Sequence, residues 1–250
     1  MRKFVLLLPT YNEEENIEIL LVDIFYNILQ LKTWKAEVIV IDSHSGDNTQ
    51  TLVKKQMKLH PNLHLLSVKK EGLGKAYILG YNYALKKFDP FAFIQMDADL
   101  SHEAKEIPHL LKAIEKGSDF VIGSRYVPLG SVPHEWARSR KIFSMIGNLV
   151  VRLGIFDLSI KDWTSGYRAV RAETVKKLPK TIDKYGGYIF MIAVLNSARL
   201  NKAKISEIPI KFQNRHGGIS KLPASKYIVD VLKFVFLNSP LVVAFKQKET

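Results

Sequence analysis

Short apolar runs alternate with stretches of helical periodicity along the first half of the chain. The runs occupy residues 4–9, 36–42, 63–68, 91–96 and 119–124. Between the first two runs, apolar residues recur on one face of a helix whose predicted N-cap is Asn12, namely Ile17, Leu20, Leu21, Ile24, Ile28 and Leu31. The repeated unit of strand and helix predicts an α/β fold with a mainly parallel sheet and helices on both faces.

A polar segment follows each of the first four predicted strands. The segments read "PTYNEEEN" (9–16), "DSHSGDNT" (42–49), "KEGLGKA" (70–76) and "DADLSH" (97–102). In an open parallel sheet the carboxyl ends of the strands share one edge, and ligands bind outside that edge. The four segments are therefore expected to form one site.

The acidic pair in the fourth segment predicts a metal site. Asp97 and Asp99 are two positions apart at the end of an extended run, so their carboxylates point the same way and can face one cation. Carboxylate oxygens suit Mg²⁺ or Mn²⁺, which typically complete their coordination with water and substrate phosphates.

Composition and charge narrow the classes of function. The 250 residues are 47% hydrophobic, enough for one large domain with a full core, and the absence of cysteine excludes disulfides, thiolate zinc sites and cysteine nucleophiles. Residues 1–124 carry 15 Lys and Arg against 16 Asp and Glu, whereas residues 125–250 carry 22 against 8. A basic half favours contact with phosphates on nucleic acid, lipid or a small substrate, and it equally fits a solvated lysine surface.

Nine motifs, in their order and spacing, resemble the family-2 glycosyltransferases of the polyprenol-phosphate (dolichol-phosphate) mannosyltransferase branch. The resemblance covers about residues 4–222, and the motifs read "PTYNEEEN", "VIDSHSGDNT", "GLGKAY", "MDADLSH", "GSRY", "SRKIFSMIGN", "DWTSGYRAV", "GGYIF" and "NRHGGISK". The resemblance implies a Rossmann-like GT-A fold. It also implies inverting transfer of a hexose, most often mannose from GDP-mannose, to a polyprenyl or dolichyl phosphate with Mg²⁺ or Mn²⁺.

The resemblance also assigns roles to individual residues. The nucleotide sugar would contact Pro9, Tyr11, Glu13, Asp42, Lys75, Asp97, Arg215 and Lys221. The metal would be held by Asp97 and Asp99, with Ser101 as a weaker ligand. The acceptor phosphate would contact Arg125, Arg140 and Ser144, and the catalytic set would be Asp97, Asp99 and Arg125. Because the acceptor is already anionic, His102 is expected to be a loop residue rather than a general base.

Several positions depart from the family pattern. Ser43 stands where relatives commonly carry a second aspartate, Met191 and Ala193 replace glutamine and glutamate, and Ile219 replaces an acidic residue. Guanine specificity is therefore open, and so is transfer of glucose from UDP-glucose or of another hexose. An altered or weakened enzyme also remains an alternative.

The domain prediction separates a catalytic domain, residues 1–222, from a C-terminal helix and tail, residues 223–250. Within the domain, residues 1–124 form the nucleotide-sugar half and 125–222 the acceptor half. The C-terminal helix carries Asp230 and Lys233, which disfavours a spanning helix and leaves an interfacial helix or one packed on the sheet. The expected location is the cytoplasmic face of a membrane, peripherally bound to its surface, with a membrane-anchoring subunit as a possible partner.

Two functions from other classes remain as alternatives. A nucleotidyltransferase would use metal-bound carboxylates but does not account for "RKIFS" and "TSGYR". A nucleic-acid-binding protein would use the basic half but leaves Asp97 and Asp99 unexplained. We therefore expect no nucleic-acid partner.

Overall fold

A computed structural model of the chain describes residues 1–215 and 224–239. Its strands are β1 Arg2–Thr10, β2 Trp34–Asp42, β3 Leu63–Ser67, β4 Ala92–Gln95, β5 Phe120–Ser124, β6 Arg168–Arg171 and β7 Ile205–Pro209. Its α-helices are α1 Ile17–Ile28, α2 Thr49–Met57, α3 Leu73–Phe88, α4 Ile107–Glu115, α5 Arg138–Gly154, α6 Ala172–Lys176, α7 Gly187–Leu200 and α8 Ala224–Asn238. Short 3₁₀ helices lie at Ala104–Glu106 and Lys180–Lys184.

The strands form one seven-stranded sheet in the order β3-β2-β1-β4-β6-β5-β7. The pairs β1–β2, β1–β4, β2–β3 and β5–β7 are parallel, whereas β6 is antiparallel to both β4 and β5. The predicted mainly parallel sheet is confirmed. Because β6 runs in the opposite direction, the segment that enters β6 lies at the edge where the parallel strands end.

The sheet is covered on both faces, as the apolar pattern predicts. In β1, Val5 and Leu7 pack into one core cluster, which includes side chains of α3 and α7. The alternate residues Phe4, Leu6 and Leu8 pack into a second cluster with α1 and α4. Side chains of a strand alternate between faces, so a continuous apolar run supplies both cores.

The predicted cap of α1 is wrong by one turn. The helix begins at Ile17 with Asn16 at the N-cap position. Asn12 instead adopts a left-handed backbone with φ of 55°, a region that asparagine tolerates better than most residues. Its Oδ1 accepts a hydrogen bond from Gly46 N at 2.9 Å, so Asn12 joins the loops that follow β1 and β2.

The C-terminal helix α8 packs against α5 and against the core. At Gly154 of α5, a Cβ atom would lie only 1.8 Å from Cγ1 of Val235, so the glycine permits a close approach of the two helices. Val231 and Phe234 are buried, while Phe236 on the same helix is exposed. The packed arrangement is thus present on one face of α8, and the interfacial arrangement stays a prediction for its other face.

In the described parts of the chain, every helix is too short or too polar to cross a membrane.

Candidate active site

A cavity of about 380 Å³ opens at the edge where β1 to β4 end. The loops after these strands and the start of α7 line it, as the shared-edge argument predicts. The nucleotide residues predicted from the sequence that line the cavity are Pro9, Tyr11, Glu13, Asp97 and Arg215.

Asp99 lies in this cavity with both carboxylate oxygens engaged. Oδ1 accepts hydrogen bonds from Ser101 N at 3.1 Å and Ser101 Oγ at 2.5 Å. Oδ2 accepts from Arg215 Nε at 2.6 Å. Burial opposes ionisation of Asp99, but the bonds from Ser101 and the charge of Arg215 outweigh it and hold the pKa of Asp99 below its ordinary value. Ser101, predicted as a weak metal ligand, therefore binds the carboxylate of Asp99.

Asp97 lines the same cavity, and its carboxyl group ionises less readily than that of Asp99. Burial, and then the negative charge of Asp99, raise the pKa of Asp97 to about 7. Behind its carboxylate lies Gly166, where a Cβ atom would be 3.1 Å from Oδ2. Two carboxylates that disfavour each other's charge form a site that a cation stabilises.

His102 supports the loop that carries both carboxylates. Its Nδ1 accepts a hydrogen bond from Asp97 N at 3.1 Å, and its ring stacks on Tyr167 with centroids 4.8 Å apart. Burial lowers the pKa of His102 to about 4, so the ring is neutral at pH 7. A neutral histidine whose Nδ1 accepts from the backbone fits the loop role expected from the sequence.

Asp42 organises the loop after β2 and is itself outside the cavity lining. Its buried carboxylate accepts hydrogen bonds from Thr10 Oγ1 at 3.0 Å, from Ser45 N at 2.9 Å and from Gln50 Nε2 at 2.5 Å. The next residue, Ser43, lines the cavity itself. The structure thus places Ser43, a departure from the family pattern, nearer to the predicted nucleoside position than Asp42.

Among the residues that the structure describes, the lysine that lines the cavity is Lys70, which the sequence analysis did not single out. Its Nζ lies 3.5 Å from the centroid of the Tyr11 ring. The predicted Lys75 is instead paired with Asp183, with Nζ 2.8 Å from Oδ2, and it is outside the cavity lining. The signal for Lys70 was its place at the start of "KEGLGKA", three residues after β3 ends at Ser67.

The residues predicted to bind the acceptor phosphate lie directly after β5 and on helix α5. Arg125 is buried and forms a two-pronged ion pair with Asp162, with Nε to Oδ2 and Nη2 to Oδ1 both at 2.7 Å. Burial disfavours its charge, but Asp162 more than compensates and raises the pKa of Arg125. The fork expected to grip a phosphate is therefore occupied within the protein, since Nη2 also donates to Thr164 Oγ1 at 2.7 Å.

Ser144 and Arg140 share helix α5, as expected from their spacing. Ser144 Oγ accepts a hydrogen bond from Tyr126 OH at 2.6 Å, which links α5 to the residue next to Arg125. Arg140 is exposed, and its guanidinium lies 4.0 Å from the centroid of the Trp136 ring. The structure therefore brings Ser144 close to the β5 end and leaves Arg140 at the surface.

The remaining predicted positions lie outside the cavity or outside the described residues. Lys221 and Ile219 belong to residues 216–223, which the structure does not describe. Met191 and Ala193 are buried in the core on α7, and Met191 O accepts a hydrogen bond from the buried Arg168 at 2.7 Å. Tyr188, also on α7, does line the cavity; it lies in the "GGYIF" motif, to which the sequence analysis gave no role.

Comparison with known proteins identifies relatives over most of the chain. The model of the family described as Glycosyl transferase family 2 matches residues 5–178. A polyprenol monophosphomannose synthase of Mycolicibacterium smegmatis is 33% identical over 226 residues, 90% of this chain and 82% of that protein. An undecaprenyl-phosphate mannosyltransferase of Micrococcus luteus is 36% identical over 219 residues, 86% of each chain.

A solved structure with the same fold is glucosyl-3-phosphoglycerate synthase of Mycobacterium tuberculosis. Its complex with Mn²⁺, uridine diphosphate and phosphoglyceric acid matches with a TM-score of 0.66 and 18% identity, over 94% of this chain and 78% of that chain. The two proteins therefore share the arrangement of sheet and helices described above, despite their low sequence identity.

Proposed function

The chain belongs to glycosyl transferase family 2 and has its α/β GT-A fold, and on this premise we propose that it transfers mannose from GDP-mannose to a polyprenyl or dolichyl phosphate. The observation that carries the proposal is the sequence likeness to two lipid-phosphate mannosyltransferases over most of both chains. The site supports it. Asp97 and Asp99 line one cavity, and the charge of Arg125 acts on Asp97. The residue next to Arg125 is hydrogen-bonded to helix α5.

The nucleotide sugar occupies the cavity at the ends of β1 to β4. The nucleoside lies near Pro9, Tyr11 and Ser43, and the diphosphate lies toward Asp97 and Arg215, which line the same cavity. The donor residues come from the predicted half 1–124, with Arg215 as the exception. Loss of a second carboxylate at Ser43 keeps a UDP-linked donor as the alternative.

Asp97 and Asp99 fit a divalent cation, Mg²⁺ or Mn²⁺, whose coordination the donor completes. Within residues 1–215 and 224–239, His, Cys, Asp and Glu side chains form no group of three or more able to hold a metal. Two carboxylates plus diphosphate oxygens are a typical arrangement for Mg²⁺. When bound, such a cation neutralises the charge that develops on the leaving diphosphate.

The acceptor phosphate binds beside Arg125 and Ser144, with Arg140 nearer the surface. An anionic phosphate oxygen is already a nucleophile, so positioning and charge stabilisation provide the rate and no strong base is required. The neutral, buried His102 agrees with this chemistry. Attack on the face opposite the diphosphate inverts the anomeric carbon.

Helices α5 and α8 present an apolar surface that we assign to the membrane. We define this surface by the exposed side chains of Ile142, Phe143, Met145, Ile146, Leu149, Leu153, Val229, Leu232 and Phe236. Arg138, Arg140, Lys141 and Arg152 lie on the same stretch of α5. Apolar side chains with cations beside them fit the headgroup region of an anionic bilayer, where the lipid phosphate is found.

The deciding experiment measures sugar transfer to a polyprenyl phosphate from a panel of GDP- and UDP-sugars. We expect mannosyl lipid and released GDP, and loss of turnover in excess EDTA. Release of pyrophosphate instead of nucleoside diphosphate would identify a nucleotidyltransferase. Full turnover in EDTA would contradict the metal assignment, and preference for UDP-glucose would contradict the choice of donor.

A further inference from the structure

The segment of residues 162–166, "DWTSG", lies between the two halves of the proposed site. It directly precedes β6, the antiparallel strand, and therefore lies at the edge where the other strands end. Asp162, Trp163, Thr164 and Ser165 are buried. Buried polar backbone and side chains need fixed partners, so the segment is held in one conformation.

The first residue of the segment fixes the guanidinium of Arg125. Asp162 accepts hydrogen bonds from Arg125 N at 3.1 Å and from Nε and Nη2 at 2.7 Å each. Thr164 Oγ1 accepts the other Nη2 bond at 2.7 Å. These bonds engage Nε and Nη2, so Nη1 is the part of the guanidinium left for a ligand.

The segment is itself anchored to the sheet. Glu207 of β7 accepts hydrogen bonds from Asp162 N at 2.9 Å and from Lys161 N at 2.8 Å. The position of Arg125 is thus set by a strand, through two carboxylates, rather than by a mobile surface side chain.

The last residue of the segment touches the other half of the site. A Cβ atom on Gly166 would lie 3.1 Å from Oδ2 and 3.2 Å from Oδ1 of Asp97. Such a contact is closer than carbon and oxygen tolerate comfortably, so a side chain here would displace the carboxylate by a few tenths of an ångström. Glycine at 166 therefore allows Asp97 to hold its position in the cavity.

We propose that residues 162–166 form a positioning element that fixes the acceptor-binding Arg125 and the cation-binding Asp97 relative to each other. Asp162 acts through Arg125, and Gly166 acts through Asp97. The inference rests on the proposed function, because it presumes a phosphate at Arg125. Its physical basis is that small misplacements of reacting groups cause large losses in rate.

The first test is Asp162→Asn, which keeps the shape of the side chain and removes its charge. We expect kcat/KM for polyprenyl phosphate to fall about tenfold or more, the scale of a lost charge-assisted contact, with no change in the dissociation constant of the nucleotide donor. The matched control is Asp119→Asn, which breaks an ion pair with Arg171, 3.6 Å away, at the opposite end of β5. It should change neither constant.

A double-mutant cycle separates positioning from an independent structural role. If Asp162 acts through Arg125, then Asp162→Asn causes little further loss in an Arg125→Met background. If the losses in kcat/KM from the two substitutions multiply instead, the inference is overturned. Should Asp162→Asn fail to fold, Thr164→Val removes the Nη2 acceptor without exposing a buried charge. Its loss should also be confined to the lipid, and equal losses for lipid and donor overturn the inference.

The second test measures Mn²⁺ affinity by calorimetry in the presence of GDP. Gly166→Ala should weaken Mn²⁺ binding severalfold, whereas Gly46→Ala, whose Cβ meets nothing within 4 Å, should not. Unchanged affinity in Gly166→Ala overturns the role of Gly166. A wild-type protein that transfers no sugar to a polyprenyl phosphate would refute the proposed function. If the wild type is active but the losses in kcat/KM from the Asp162 and Arg125 substitutions multiply, only the positioning role is refuted.

Discussion

Arg215 Nε donates a hydrogen bond to Oδ2 of Asp99 at 2.6 Å, inside the proposed donor cavity. A guanidinium therefore holds an oxygen that a divalent cation also needs. Because both are positive, the arginine and the cation disfavour each other at Asp99.

Substitution of Arg215 should move metal binding and turnover in opposite directions. In Arg215→Gln, we expect Mn²⁺ affinity without nucleotide to rise about fivefold, on the order of 1 kcal/mol for a half-exposed ion pair. Turnover should fall about 10²-fold, because a positive group near the leaving diphosphate is lost. Mn²⁺ titration and steady-state rates measure the two effects, and a parallel decrease in both would show that Arg215 supports the metal site instead.

The base preference should depend on Ser43. This side chain lines the cavity where relatives commonly carry a carboxylate, so we expect Ser43→Asp to increase the preference for GDP over UDP about tenfold, the scale of one charge-assisted hydrogen bond. Calorimetric titration of both nucleotides with Mg²⁺ measures the change. If the wild type already prefers GDP by more than about a thousandfold, equivalent to ~4 kcal/mol, other residues provide the discrimination.

Arg140 should affect the acceptor and not the donor. It lies one turn before Ser144 on α5, exposed above the Trp136 ring. Arg140→Ala is expected to lower kcat/KM for polyprenyl phosphate about 30-fold. This corresponds to a loss of about 2 kcal/mol in transition-state stabilisation, the scale of a lost charge-assisted contact. The donor dissociation constant is the internal control, and equal losses in both would remove Arg140 from the acceptor site.

The apolar surface on α5 and α8 should bind vesicles that contain anionic lipid. Phe143→Glu and Phe236→Glu each place a charge where we expect acyl chains, and each should weaken vesicle binding about tenfold, since burial of one phenylalanine contributes about 1.5–3 kcal/mol. Val22→Glu on α1, which replaces another exposed apolar side chain, is the matched control. Co-sedimentation with vesicles gives the result, and equal binding of all three variants would exclude this surface.

His102 should make the folded protein sensitive to acid. Its pKa is lowered from 6.5 to about 4 by burial, so between these values the unfolded chain binds a proton that the folded chain does not. Stability from this residue is therefore complete above about pH 6.5 and is lost as the pH falls toward 4, by up to roughly 3 kcal/mol.

The check is the free energy of unfolding at pH 7 and pH 5 for the wild type and for His102→Asn. The asparagine Oδ1 can accept the bond from Asp97 N without titrating, and the opposite contribution of Asp97, whose pKa is raised, is common to both proteins. Relative to the wild type, the variant should therefore gain stability at pH 5 compared with pH 7, through the change in unfolding free energy between the two pH values. His109→Asn, at an exposed position, should leave it unchanged. An identical pH dependence in the wild type and in His102→Asn would contradict the assigned state of His102.

The sheet edge and the acidic pair could be predicted because both follow from local pattern. Apolar runs with polar ends determine which residues meet at the carboxyl edge of a parallel sheet, and Asp97 and Asp99 lie at such an end. The partner of Arg125 could not be predicted this way. Asp162 is 37 positions away in a segment that enters an antiparallel strand, and no periodicity signals that pairing.

Residues near a helix start were also hard to assign. The "KEGLGKA" segment contains two lysines, and the first turn of α3 directs Lys75 toward Asp183 while Lys70 remains at the cavity. Which of two lysines faces a ligand depends on where the helix begins, and boundaries are the least certain part of a sequence-based prediction. The same uncertainty explains the misplaced cap of α1.

Because β6 is antiparallel, the segment before it and the loops after the parallel strands reach the site separately, so a transferase of this fold can change one without changing the other. The parallel strands reach the site through the loops at their ends, and those loops carry residues proposed to bind the sugar donor. β6 reaches it through the chain that enters it, residues 155–167, which joins helix α5, proposed here to lie at the membrane, to the sheet. An insertion within 156–159, between the buried Ile155 and Ile160, would leave the register of every strand intact. New acceptors are thus accessible to evolution or design by remodelling one linker, with the machinery for the sugar donor left as it is.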